Sequence, residues 1–182
     1  MSVIGKEKKP TYQELWKDPE GAKYRSEVFN RQKANGMLPL TDNPTFDEIK
    51  EAIKLYSPGS VLEIGCGWGR ILEHLKDEPY DLWGCDISQD MIDHASKDLK
   101  VFYMDITAPD LNGHSRWDVT FSRGVLHYFL EKEELIRRAI RNIEMFTLTR
   151  CIVWELPEVC EAINRLKSAD LFDLKPIEHK DE

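Results

Sequence analysis

The run Gly65-Cys66-Gly67-Trp68-Gly69-Arg70 sets three glycines at alternate positions, directly after the apolar run Val61-Leu62-Glu63-Ile64. Glycine lets a backbone turn sharply and approach a ligand closely. Asp86 stands roughly twenty positions on, after a second apolar stretch, where a carboxylate can accept two hydrogen bonds from ribose hydroxyls. Asp105 follows a third such stretch and Ser122-Arg123 a fourth. A tight strand-to-helix turn would explain the glycines alone; with both aspartates, the set points to a ligand that carries a nucleoside. A nicotinamide dinucleotide asks for G-x-G-x-x-G, and the sixth position here is Arg70. No G-x-x-x-x-G-K-[ST] phosphate loop exists. The four cysteines, Cys66, Cys85, Cys151 and Cys160, form no C-x-x-C pair, so no zinc or other metal site is expected.

The elements that must carry these residues alternate. Thr45-Phe46-Asp47-Glu48 is a capping box that opens a helix, and Ser57-Pro58-Gly59 stops it. Strands are expected at 61–64, 81–85, 99–104, 117–121 and 151–154, with a sixth at 171–177. Helices are expected around Ile71, Leu72 and Leu75, around Met91, Ile92 and Ala95, over 131–146, and over 157–167 from Pro157. Residues 107–116 read as a polar loop. This alternation implies an α/β fold, a Rossmann-like doubly wound sheet that is mostly parallel and covered on both faces. Ligands in such sheets bind beyond the carboxyl ends of the strands.

Four motifs in order resemble those of the class I S-adenosylmethionine-dependent methyltransferases, of the small-molecule type. They are VLEIGCGWGR at 61–70, GCDIS at 84–88, FYMDI at 102–106 and WDVTFSRGVLHYF at 117–129. The resemblance implies S-adenosylmethionine as cofactor and S-adenosylhomocysteine as product. It implies that Gly65, Cys66, Gly67 and Gly69 pass under the methionine moiety, with Glu63 fixing that loop or reaching the amino group. It further places Asp86 on the ribose, Ile87 on the adenine, Asp105 and Ile106 at the adenine amino group, and Ser122 near the methionine end. The family usually closes its sheet with a sixth strand and an antiparallel seventh. The residues after strand five allow hardly a seventh, so a shortened C-terminal end is expected. An uncovered sheet edge risks self-pairing, which favours a dimer or a partner chain.

Methyl transfer is in-line displacement at an already activated carbon, so alignment is the main task. A base is needed only when the nucleophile arrives protonated. His127 and Tyr128 sit just past strand four, where an acceptor would lie, and are the candidate catalytic residues. His127 could take a proton, or serve as a structural histidine. Tyr128 reads better as a pocket wall. An O, N or S nucleophile of a small molecule is the expected acceptor, with a protein side chain or RNA behind it. The alternative is a catalytically silent cofactor-binding subunit that supports a partner methyltransferase.

Composition bounds these readings. The chain of 182 residues is one domain's worth, and its Lys and Arg number 25 against 33 Asp and Glu, a net charge of −8. An acidic body argues against duplex DNA as partner. No apolar run reaches the ~20 residues of a membrane span. The start of the chain shows no secretory signal, and unpaired cysteines fit a reducing compartment, so a cytoplasmic location is expected. Residues 1–44 read as a tail and helical lid, with Tyr12, Trp16, Tyr24 and Phe29 as its aromatics, and 45–182 as the cofactor-binding domain.

Overall fold

The computed structural model describes residues 44–109, 111 and 115–177, together with Gly21, Ser26, Glu27 and Asn30. The expected lid and its aromatics lie outside these residues. Helix α1 (Phe46–Lys54) starts as its capping box requires. Glu48 N–H donates to Thr45 Oγ1 at 3.2 Å, and Thr45 N–H donates to Glu48 Oε2 at 2.7 Å. These bonds satisfy two of the N–H groups that a helix start leaves free. Then follow β1 (Ser60–Ile64), α2 (Arg70–Leu75), β2 (Asp81–Asp86), α3 (Gln89–Ile92) and β3 (Lys100–Tyr103). Next come β4 (Trp117–Arg123), a 3-10 helix (Leu126–Phe129) and α4 (Glu133–Phe146). The described part ends with β5 (Thr147–Glu155), α5 (Pro157–Leu166) and β6 (Phe172–Pro176).

The strands form one sheet in the order β3-β2-β1-β4-β5-β6, and every pairing is parallel. This is the expected doubly wound α/β sheet. No seventh strand occurs among the described residues, and β6 pairs with β5 directly. The chain runs from β1 outward to β3, then returns to place β4 on β1's other side. The crevice at this reversal, beyond the carboxyl ends of β1 and β4, is where such sheets hold ligands.

Side chains alternate between two cores. On one face Leu62, Ile64, Cys85, Cys151 and Val153 meet Ile136, Ile140, Ile143 and Phe146 of α4 and Val159 and Ile163 of α5. On the other, Val61, Val119, Phe121 and Ile152 meet α1 and Ile71 and Leu75 of α2. Each large apolar side chain so buried contributes roughly 1.5–3 kcal/mol.

Strand β5 begins four residues before the expected Cys151. Thr147 enters it straight from α4, while Leu148 and Thr149 are exposed, so the start lacks the apolar signature. The register between β4 and β5 also shifts between Trp117 and Val119. Trp117 packs in the α4-side core and Val119 in the α1-side core. The 3-10 helix at 126–129 was not expected from the sequence; it occupies the short link between β4 and α4.

Candidate functional site

The loop after β1 is fastened to β2. Gly65 and Cys66 N–H both donate to Cys85 O, at 2.8 and 3.0 Å. Two glycines are structural necessities. Gly65 has φ +75°, and a Cβ on it would stand 2.3 Å from Val125 Cγ2. Gly69 has φ +84°, and a Cβ there would meet Leu99 Cδ1 at 2.5 Å. Gly67 N–H donates to Asp86 Oδ2 at 2.8 Å, and Ser88 N–H donates to Asp86 Oδ1 at 2.8 Å. Asp86 is therefore tied to the glycine loop and retains accepting capacity on both oxygens. It is 8% exposed. Burial pushes its pKa up, while the N–H groups of Ser88, Gly67 and Ile87 pull it down.

Glu63 lies on β1 beside Phe121 of β4, 4% exposed. Its Oε2 is buried and has no hydrogen-bond partner among the described residues. Burial raises its pKa well above the usual range, the nearby Asp86 raises it further, and Arg123 opposes them. Ser122, paired in register with Ile64, presents a second buried oxygen, its Oγ, without a partner among the described residues. An unsatisfied buried polar atom costs about 1–3 kcal/mol, so two at one end of one sheet call for a physical reason.

Asp105 follows β3, and its Oδ1 accepts from Thr107 N–H at 2.9 Å and from Thr107 Oγ1 at 2.6 Å. Ile106 points into the α4-side core. Ile87 is half-buried next to Asp86. The Cys66 side chain packs beneath the loop against Gly84, and burial raises its thiol pKa well above normal. Only the backbone of Cys66 belongs to the loop surface.

His127 and Tyr128 fall in the 3-10 helix, with ring centroids 4.0 Å apart. His127 Nδ1 is 3.2 Å from Oε2 of Glu155, the last residue of β5. The other oxygen of that carboxylate accepts from Val125 and Leu126 N–H. Val125 is also the residue that crowds Gly65, so the link after β4 lies against the glycine loop.

The fold thus brings Glu63, Gly65, Gly67, Asp86, Ser122 and His127 to one end of the sheet. Asp105 joins them beyond β3, on the outer side of β2. Two residues escaped the sequence reading. Glu155 carries no local motif. Asn142 is buried on α4, where its Nδ2 donates to Ile106 O at 2.7 Å and Ala108 O at 3.0 Å, pinning the segment after Asp105. A polar residue between Ala139 and Phe146 on an apolar helix face was its one available signal. A separate cavity of about 430 Å³, near Asp81, Trp83, Phe102 and Trp117, opens at the strands' amino ends, away from this constellation.

Residues 62–144 match the family model described as a methyltransferase domain. The chain is 24% identical over 155 residues to a ubiquinone biosynthesis O-methyltransferase of Rickettsia typhi, covering 80% of this chain and 59% of that one. It therefore spans less than two thirds of that relative's length. Among solved structures it is similar to a TehB-like S-adenosylmethionine-dependent methyltransferase from Corynebacterium glutamicum, with TM-score 0.60, 22% identity, and coverage of 82% and 84% of the two chains. It is also similar to CalS10, an amino pentose methyltransferase from Micromonospora echinaspora solved with S-adenosylmethionine bound, with TM-score 0.54, 17% identity, and coverage of 73% and 57%. Residues 62–144 thus resemble a methyltransferase domain, and the sheet has the fold of the S-adenosylmethionine-dependent methyltransferases it is similar to.

Proposed function

We propose that this protein transfers a methyl group from S-adenosylmethionine to an O, N or S nucleophile of a small molecule. The observation that carries this is the bond from Gly67 N–H to Asp86, which sets a carboxylate able to take ribose hydroxyls at the lip of a glycine loop. The residues fit the cofactor. No described atom lies within 4 Å of where a Cβ on Gly67 would stand, so the described residues leave that space over the loop open. The unpartnered Glu63 Oε2 and Ser122 Oγ are what an amino-acid moiety with an ammonium group would satisfy. The relative and the neighbouring structures support the same reading by the activities in their names.

When bound, the cofactor supplies a methyl already activated on a sulfonium. The chain's own residues bind and align. Asp86 takes the ribose hydroxyls, Ile87 packs on the adenine, and Asp105 with the backbone around Ile106 meets the adenine amino group. Glu63 and Ser122 hold the methionine end over Gly65, Gly67 and Gly69, with Cys66 supplying backbone only. His127 and Tyr128 border the acceptor. Residues 1–44 serve as lid and residues 45–182 as the cofactor domain. No helix among the described residues is long and apolar enough to cross a membrane. A cytoplasmic setting and a dimer or partner chain at the β6 edge complete the proposal.

Calorimetric titration with S-adenosylmethionine and S-adenosylhomocysteine tests it. Micromolar binding is expected, weakened in Asp86→Ala by roughly 1.5–3 kcal/mol for each charged hydrogen bond lost. A folded protein that binds neither compound would refute the reading.

A further inference from the structure

We propose that Glu155 is a positioning residue that holds His127 as a general base, and that the acceptor of this site therefore presents a neutral hydroxyl. The inference rests on the methyl-transfer reading above. Glu155 is 0% exposed, and its carboxylate meets one short segment with both oxygens. One oxygen takes the N–H groups of Val125 and Leu126, and the other takes His127 Nδ1 at 3.2 Å. Anchoring the segment needs only the first oxygen. With that oxygen as the acceptor, Nδ1 carries the hydrogen and Nε2 keeps its lone pair. The imidazole is 25% exposed, and no described residue takes Nε2. The contact of Val125 with Gly65 keeps this ring at the glycine-loop end of the sheet.

The nucleophile class follows from what needs such a base. A free amine attacks first and loses its proton afterwards. A thiol, with pKa near ~8.5, supplies far more of its anion near neutrality than a phenol, with pKa near ~10. A hydroxyl gains most from proton removal within the transition state. In that step the hydroxyl proton passes to Nε2. An oxygen electron pair forms the bond to the methyl carbon, and the pair of the breaking carbon–sulfur bond stays on sulfur. The imidazolium is balanced by Glu155 and returns its proton to water. The carboxylate–imidazole pair follows the orienting logic of a hydrolase triad without its nucleophile.

Glu155→Gln tests the idea. The amide oxygen can still accept from Val125 and Leu126, while its NH₂ meets Nδ1 and reverses the tautomer. Nitrogen-15 NMR of cofactor-free protein should show His127 with Nδ1–H in the wild type and Nε2–H in E155Q. An Nε2–H wild type, or an unchanged tautomer in E155Q, overturns the proposal. The activity arm uses S-adenosylmethionine with ring-substituted phenols of graded acidity. E155Q and His127→Ala should each lower kcat by about 10²–10⁴-fold on weakly acidic phenols, non-additively, and far less on nitrophenols already ionised. An equal loss across the series would mark Glu155 as structural only and overturn the proposal. Wild type that methylates amines or thiols but neither phenols nor alcohols overturns the hydroxyl assignment. Absence of cofactor binding sinks the underlying reading instead, and the tautomer still judges the pair. Should E155Q fail to fold, His127→Ala alone gives the acidity dependence.

Discussion

Val125 Cγ2 lies where a side chain on Gly65 would begin, 2.3 Å from the position of its Cβ. The loops after β1 and β4 are thus in direct contact across the point where the sheet reverses direction. Gly67, two residues on, also has positive φ, at +55°, but nothing within 4 Å of its Cβ position. Left-handed backbone costs a non-glycine residue roughly 1–2 kcal/mol. Gly65→Ala should therefore lose that and a packing penalty besides, while Gly67→Ala loses little more than the backbone term. Gly67→Ala should nevertheless lose S-adenosylhomocysteine binding, because its methyl fills the open space over the loop. Urea denaturation of both variants, paired with calorimetry, separates the two effects.

Glu63 and Asp86 predict how stability depends on pH. Burial raises both carboxyl pKa values in the folded chain, Glu63 the more strongly. Between the unfolded carboxylate range and these raised values, the native state binds more protons than the unfolded one. Stability then falls as pH rises through that window, the reverse of a salt-bridged carboxylate. Wild type should unfold at lower urea at pH 8 than at pH 5. Glu63→Gln should flatten the dependence and raise the midpoint at pH 8, while weakening cofactor affinity. A midpoint that rises with pH in the wild type would contradict this.

Asn142 should matter to a ligand it does not reach. Its side chain satisfies the carbonyls of Ile106 and Ala108 from within α4. Asn142→Ala leaves those oxygens unpaired at a cost of about 1–3 kcal/mol. It also frees the segment that places Asp105. Lower thermal stability together with weaker S-adenosylhomocysteine binding is expected, and unchanged affinity would show that the pinning is structural only.

Asp118 provides the contrast at the opposite end of the sheet. Its Oδ2 accepts from Gly59 N–H at 2.8 Å and from Ser60 N–H at 2.9 Å, joining the start of β4 to that of β1. Asp118→Ala should cost roughly 1.5–3 kcal/mol in denaturant unfolding through its charged hydrogen bonds. Cofactor affinity measured below the unfolding transition should not change.

Saturating S-adenosylhomocysteine should raise the melting temperature of wild type. A ligand at about 100 times its Kd adds roughly 2.7 kcal/mol to folded-state stability. The same concentration should do much less for Asp86→Ala, and differential scanning fluorimetry reads both.

The sheet was legible because its signals are local. Val61 to Ile64, the glycines after them, and the capping box at Thr45 each state their role within a few residues. Asp86 was legible by its distance from Gly65. Its bond to Gly67 was not, because that bond depends on how β2 lies beside β1. Glu155 and Asn142 were illegible for the same reason. Each meets its partners only after a strand or helix has crossed the sheet, and neither sits in a pattern that a window along the chain can register. The early start of β5 was hidden by exposed Leu148 and Thr149, whose register is corrected by the shift beside Trp117.

The stretch matched to the methyltransferase domain ends at residue 144, and Glu155 lies beyond it. Gly65, Gly67, Asp86 and His127 lie inside that stretch, while the carboxylate that meets the histidine belongs to the strand beyond it. On the reading proposed above, the groups that hold the methyl donor and the carboxylate that sets the base are thus carried by separate stretches of the chain.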